Sequence, residues 1–186
     1  MSSSIPPFDL KQRIALASSV FLLFVLSIGW TLLAGKDINF DQLNYHLYGP
    51  RLLLEDRWEI DYFAASLQTY LNGISYLPFY WMVTLGWNDR LIAIILATVH
   101  FLNIILVLAL AAQVLDGSGW RRLVLLVIAC ALALIAPIYL IQVGSSFNDP
   151  LSSIFVLGAL LLYLTHEKSR RVLWSLTLTG VCLGIA

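Results

Sequence analysis

Long apolar runs alternate with short polar segments along this chain. An apolar run of about 18 residues or more is typical of a helix that crosses a bilayer. We place five candidate spans at about residues 14–34, 90–115, 122–143, 150–166 and 172–186, of which the last two are shorter than 18 residues. The pattern predicts an all-α fold, a single polytopic transmembrane domain of membrane helices.

A polar stretch, residues 35–89, separates the first two runs, and we call it the insert. Asn39 is expected to cap a short interfacial helix, with Gln42 as its capping-box partner. An α-helix starting there would place Asp41, Tyr45 and Tyr48 on one face. These short helices are expected to lie along the membrane surface.

Residues 67–87 of the insert are also fairly apolar, but we do not expect them to cross the bilayer. Pro78 interrupts any continuous helix there. Tyr, Trp and Asn side chains recur through this stretch, and Tyr and Trp are typical of the membrane–water boundary. We therefore expect residues 67–87 to lie at the interface.

Basic residues set the expected orientation, because short cytoplasmic loops are enriched in Lys and Arg. Lys11 and Arg13 precede the first run, Arg121 and Arg122 the third, and residues 168–171 the fifth. This places the N-terminus in the cytoplasm and makes the insert an external loop. Residues 144–149, which carry no basic side chain, are then also external. The opposite topology stays open if residues 67–87 cross the membrane.

Composition agrees with a membrane protein and excludes some functions. Hydrophobic residues make up 60% of the 186 residues, and the mean hydropathy is +0.84. The formal net charge is zero, which gives no case for nucleic acid binding. Cys130 and Cys182 lie in apolar runs, where cysteine behaves as a small hydrophobe. The first run is longer than the core of a signal peptide, so we expect a retained anchor.

Two aspartates are the candidate catalytic residues. Asp41 would lie in the first turn of its helix, where the helix dipole stabilises a carboxylate, and it could accept a proton from an attacking hydroxyl. Asp149 precedes Pro150 at a helix start, which helix capping alone explains. Their shared predicted side of the membrane favours one external site, although capping remains the alternative for both.

Three further residues are candidates for substrate binding. Tyr45 and His46 follow Asp41, and a protonated histidine can bind phosphate or transfer a proton. Arg90 begins the second run, and a guanidinium offers two parallel hydrogen bonds to phosphate oxygens. The alternatives are ordinary interfacial side chains for the first two and an anchor at the membrane surface for Arg90.

The order of these parts resembles the N-terminal portion of GT-C class polytopic membrane glycosyltransferases, the group that includes protein mannosyltransferases and aminoarabinose transferases. The resemblance rests on segments that follow the first span in the family's order. They are Asp41–His46, Glu55–Trp58, Thr69–Asn72, Leu77–Tyr80, Gly86–Arg90 and Asn148–Pro150.

The resemblance implies transfer of a sugar from a polyprenyl-phosphate donor to an acceptor at the external face of a bacterial inner or plasma membrane. It implies Asp41 as catalytic base and Asp149 as a second external acid. Family members carry an acidic pair in the first loop, whereas Gln42 follows Asp41 here. No metal ligands are therefore assigned, a divalent metal is left open, and no other cofactor is implied.

Two other classes of function stay open. One is a non-catalytic membrane scaffold, with the insert as a partner-binding surface. The other is a transporter fragment, for which His100, Asn103 and Gln113 are polar groups within the apolar runs. The last residues, 180–186, carry no polar flank, so we expect an N-terminal fragment that is inactive alone.

Overall fold

The computed structural model describes residues 8–35, 37, 39–61, 65–70, 73–166 and 172–185, and this part of the chain is all-α. The helices are, in order, α1 (Leu10–Ala34), α2 (Tyr48–Leu54), α3 (Leu77–Thr84), α4 (Asp89–His100), α5 (Leu102–Val114), α6 (Gly119–Leu134), α7 (Pro137–Gln142), α8 (Asp149–His166) and α9 (Val172–Ile185).

Helix α1 begins four residues before the apolar run because a capping box starts it. The Asp9 carboxylate accepts a hydrogen bond from the Gln12 amide at 2.8 Å, and the Gln12 side chain accepts one from the Asp9 amide at 3.1 Å. The helix ends where predicted, at Ala34. Gly35 follows with φ +90°, a conformation that favours glycine.

Two helical segments are long and apolar enough to cross a bilayer. One is α1, with 25 residues, and the other is Asp89–Val114, with 26 residues; an 18-residue stretch of each has a mean hydropathy of 2.1 and 2.7, respectively. The second consists of α4 and α5, which join at a turn at Phe101. By length and composition, both segments could cross a membrane.

The third apolar run forms two helices instead of the one continuous helix that was predicted. Helix α6 ends at Leu134, and Ala136 has φ −59° and ψ 130° before Pro137 starts α7. Proline disfavours the helical conformation of the residue before it. The run therefore bends at Pro137, and α7 leads into the polar loop that follows.

The insert begins with the predicted cap but continues differently. The Gln42 amide donates to Asn39 Oδ1 at 2.7 Å, so Asn39 is a helix cap. Residues Gln42–His46 then form a π-helical turn, which adds a residue per turn and rotates the chain after it. Tyr45 lies beside Asp41 as predicted, whereas Tyr48 lies beside Arg57 and Asp61.

Residues 67–87 do not form one helix. They comprise 3₁₀ turns at Ser66–Tyr70 and Gly73–Tyr76, followed by α3. Pro78 lies in the first turn of α3, where proline is well tolerated. The eight residues of α3 extend over only about 12 Å, well short of a bilayer core. The predicted interruption of a continuous helix at Pro78 is confirmed, because a new helix starts there.

Helix packing brings the insert onto the longer helices of the chain. Helix α1 packs against α4 and α6, and α5 packs against α6 and α8. Phe24 of α1 meets Phe101 edge to face, with ring centroids 5.3 Å apart. Phe79 and Met82 of α3 pack against Ile92 of α4, which fixes this part of the insert beside α4. The basic segment 168–171 lies outside the described residues.

Candidate functional site

The α7–α8 loop, residues 143–148, is anchored by a glycine that packs directly against two helices. Gly144 has φ +75°, and its amide donates to His100 Nδ1 at 3.2 Å. A Cβ at this position would lie 2.2 Å from Thr31 Cγ2 and 3.1 Å from the Ala93 carbonyl oxygen. Only glycine satisfies both the backbone conformation and the close approach.

A buried amide fixes the start of α8 beside this loop. Asn103 Nδ2 donates to the Pro150 carbonyl oxygen at 2.8 Å, and the Ser153 hydroxyl donates to Asn103 Oδ1 at 2.8 Å. His100 and Asn103, two of the polar groups within the apolar runs, therefore hold the loop and α8 in place.

The beginning of the insert docks onto the α7–α8 loop through Ser146. Its backbone amide donates to Asp37 Oδ2 at 2.6 Å. Its hydroxyl lies 2.8 Å from His46 Nδ1. These two contacts join segments that are about 100 residues apart in the chain, and both predicted external loops meet here.

His46 is the centre of an aromatic cluster, which comprises Tyr45, His46, Tyr76 and Phe147. The imidazole stacks on Tyr76 with centroids 4.4 Å apart and 16° between the planes. Tyr45 and Phe147 meet it edge to face at 4.6 and 5.6 Å. The side chain is 0% exposed, and Nε2 has no hydrogen-bond partner within the described residues. The predicted substrate-binding histidine is thus enclosed by protein.

Both candidate aspartates act electrostatically on this cluster. Burial raises the pKa of Tyr45, and the neighbouring Asp41 carboxylate, which can accept a hydrogen bond from the phenol, raises that pKa further. Burial is also the largest cause that raises the pKa of Tyr76, and the neighbouring Tyr45 phenol and the carboxylates of Asp149 and Asp41 raise that pKa further. The fold therefore brings Asp41 and Asp149 to the same group of rings.

The two aspartates differ in their surroundings. Asp41 is half-buried beside Tyr45. Asp149 is exposed in the first turn of α8 and accepts a hydrogen bond from Gln142 Nε2 at 2.5 Å. The sequence predicted Asp149 as the cap that precedes α8. In the structure α8 begins at Asp149 itself, so this residue belongs to the first helical turn.

Arg90 lies in a cavity of about 510 Å³ next to the cluster. Its polar lining includes Asp37, Gln42 and Arg90, and its apolar lining includes Phe79 and Leu96. Neither candidate aspartate, Asp41 or Asp149, is part of this lining. Among the described residues, the exposed Arg90 guanidinium makes no ion pair.

The described residues do not fit a metal ion. Across residues 8–35, 37, 39–61, 65–70, 73–166 and 172–185, no group of three His, Cys, Asp or Glu side chains is placed to hold one. The aspartates near the cluster instead accept hydrogen bonds from the protein, as Asp37 does from Ser146.

Several site residues were not singled out as candidates from the sequence. Asp37, Tyr76, Gln142 and Ser146 each contact a predicted site residue or the loop that carries one. Asp37 lies shortly before Asp41 in the chain, and Gln142 lies shortly before Asp149. This proximity could have identified both from the sequence. Tyr76 and Ser146 become recognisable only when the two polar segments meet.

Comparison of the chain with protein-family models, with curated proteins and with solved structures found no match.

Proposed function

We propose that this chain carries the acidic site of a polytopic membrane glycosyltransferase of the GT-C class, which transfers a sugar from a polyprenyl-phosphate donor to an acceptor at the external membrane face. The observation that carries the proposal is the docking of the insert on the α7–α8 loop. Through it, Asp41 and Asp149 approach one aromatic cluster beside a cavity that contains Arg90.

In the proposed reaction, Asp41 is the general base. The acceptor hydroxyl attacks the anomeric carbon, its proton passes to the Asp41 carboxylate, and the bond from that carbon to the lipid phosphate breaks with inversion. A half-buried carboxylate beside a tyrosine hydroxyl is oriented for such a transfer. Asp149, which is exposed and accepts a hydrogen bond from Gln142, would hold acceptor hydroxyl groups.

The cavity matches a donor that is charged at one end and apolar at the other. Arg90 would bind the phosphate and offset the charge that develops on it as the bond breaks. Phe79 and Leu96 form apolar walls suited to the first prenyl units. This division of charge and apolar surface supports a lipid-linked phosphate as donor.

A sugar-transfer assay tests the proposal. Membranes from cells that express the protein from its complete gene would be supplied with radiolabelled polyprenyl-phosphate sugars and with extracts of candidate acceptors. Incorporation of label that depends on this protein is expected. Its absence with every polyprenyl-phosphate sugar tried, from correctly inserted protein, would contradict the proposal.

Replacing Arg90 by Gln is expected to reduce transfer by about 10- to 100-fold, because a hydrogen bond to a charged group contributes about 1.5–3 kcal/mol. Arg90→Lys should lose less, since lysine keeps the charge but not the planar fork. Initial rates at varied donor concentration would be measured. Arg51→Gln, an exposed arginine of α2 paired with Glu55, is the matched control and should be unaffected.

The proposed topology has a cytoplasmic N-terminus and an external insert. Single cysteines at the exposed positions Ser66 and Ser118 would be tested in a background without Cys130 and Cys182. On intact cells, an impermeant thiol reagent should label position 66 only, and both positions should react after permeabilisation. Labelling of position 118 but not 66 on intact cells would reverse the topology.

A transporter gains no support from the polar groups within the apolar runs. His100 and Asn103 are buried and hydrogen-bonded to Gly144 and Pro150. Their contacts stabilise the α7–α8 loop instead of lining a path for a solute.

A further inference from the structure

The contact between the insert and the α7–α8 loop depends on a histidine that is enclosed on every side. His46 is 0% exposed, and its only described hydrogen-bond partner is the Ser146 hydroxyl, 2.8 Å from Nδ1. Either neutral tautomer can make this bond, with the hydroxyl as donor or as acceptor. The other ring nitrogen, Nε2, is buried without a partner among the described residues.

Protonation of His46 would disturb its contacts more than protonation disturbs those of a histidine that is exposed to water. A charged imidazolium carries a proton on both nitrogens. Nδ1 could still donate to Ser146, but Nε2 would hold a buried charged N–H with no acceptor. Burying such a group is costly, and opening the site to water relieves the cost.

Charged and titratable groups from every neighbouring element also bear on His46. Asp41 in its own segment, Asp37 before it and Asp149 at the start of α8 all favour the protonated form. Tyr45 and Tyr76 face the ring and stay neutral because burial raises the pKa of each. Burial is the largest influence and lowers the pKa of His46 below its ordinary 6.5 in spite of the three carboxylates.

We propose that His46 is a pH-sensitive positioning residue, which in its neutral form holds the insert on the α7–α8 loop and on protonation releases it. Release would break the Asp37 and His46 contacts with Ser146 together and separate the segment of Asp41 from that of Asp149. The docking is independent of any reaction, and only the consequence for transfer rests on the proposed function.

The sign of the pH dependence follows from linkage. The released form has an accessible histidine with a pKa near 6.5, and the docked form has a lower one. Between these two values the released form binds more protons, so the docked form gains stability as the pH rises. Docking should therefore be constant above pH 6.5 and weaken progressively below it.

Hydrogen exchange of the Ser146 amide measures docking directly, because that amide donates to Asp37. The full chain in lipid nanodiscs would be labelled between pH 8 and pH 5, and peptides covering residues 143–148 would be converted to protection factors. We expect constant protection above pH 6.5 and a continuous loss below it. No sugar donor is needed, so the outcome is separate from that of the transfer assay.

Two variants isolate the histidine. His46→Gln keeps a side chain that can hydrogen-bond to Ser146 but does not titrate, so its protection should be the same at every pH in this range. Asp37→Asn replaces the carboxylate that accepts the Ser146 amide by a side chain that does not ionise. This variant should still lose hydrogen-exchange protection below pH 6.5. Wild-type protection that does not change with pH, or an equal loss in His46→Gln, would overturn the proposal. Disappearance of the loss in Asp37→Asn would assign the titration to Asp37 and overturn it as well.

Discussion

Asp41→Asn is expected to reduce sugar transfer by about 10²–10⁴-fold, the usual contribution of a general base. Asparagine has nearly the same size, and Asp41 makes no capping hydrogen bond that the substitution would remove, so the insert should keep its fold. Its amide cannot take the proton of the acceptor hydroxyl. The rate would be measured on membranes with matched amounts of wild-type and variant protein.

A second acid outside the site controls for loss of charge. Asp116→Asn changes an exposed aspartate between α5 and α6, and its activity should equal that of the wild type. Activity of Asp41→Asn within a few-fold of the wild type would reduce Asp41 to a helix-terminus acid. Asp149 would then be the remaining candidate base.

Gly144→Ala is expected to lower the free energy of unfolding by about 2–5 kcal/mol. A left-handed conformation costs a residue with a Cβ about 1–2 kcal/mol, and overpacking adds about 1–3 kcal/mol. The new Cβ would lie 2.2 Å from Thr31 Cγ2, in a place where the Ala93 backbone also blocks movement. Denaturant unfolding of the purified protein in mixed micelles would measure the change.

Two other glycines separate the causes of that loss. Gly86 has φ +71° with open space where an added Cβ would lie. Gly86→Ala should therefore lower the free energy of unfolding only by the cost of the left-handed conformation, about 1–2 kcal/mol. Gly158, within α8, also has open space around it. Gly158→Ala should raise the free energy of unfolding by as much as about 1 kcal/mol, because alanine favours the helix more than glycine does. A loss in Gly144→Ala no greater than in Gly86→Ala would show that the contact with Thr31 is unimportant.

Features that depend on neighbours in the chain followed from the sequence. The end of α1 at Ala34, the cap at Asn39 and the lack of a continuous helix through residues 67–87 were predicted. Two local signals were overlooked. The pair Asp9 and Gln12 marks the true start of α1, and Pro137 marks the bend between α6 and α7.

The site required the tertiary structure. The sequence indicated that Asp41, His46 and Asp149 belong to polar segments on one side of a membrane. The enclosure of His46 could not be predicted, because it depends on Ser146, which is 100 residues away in the chain. Tyr45 lies beside Asp41, as the α-helical spacing predicted. The π-helical turn Gln42–His46 breaks that spacing before Tyr48, which lies beside Arg57 and Asp61.

Periodicity, caps and apolar runs determine which segments are helical, since each depends on residues within a few positions of one another. They determined here that the chain is all-α and that its polar residues concentrate in the insert and the α7–α8 loop. Only packing decided that these segments meet at Ser146, with Gly144 allowing the close approach of α1 and His46 filling the space between them. The physical reason is that long-range contacts depend on the shapes of all the packed helices together, which no local stretch of sequence encodes.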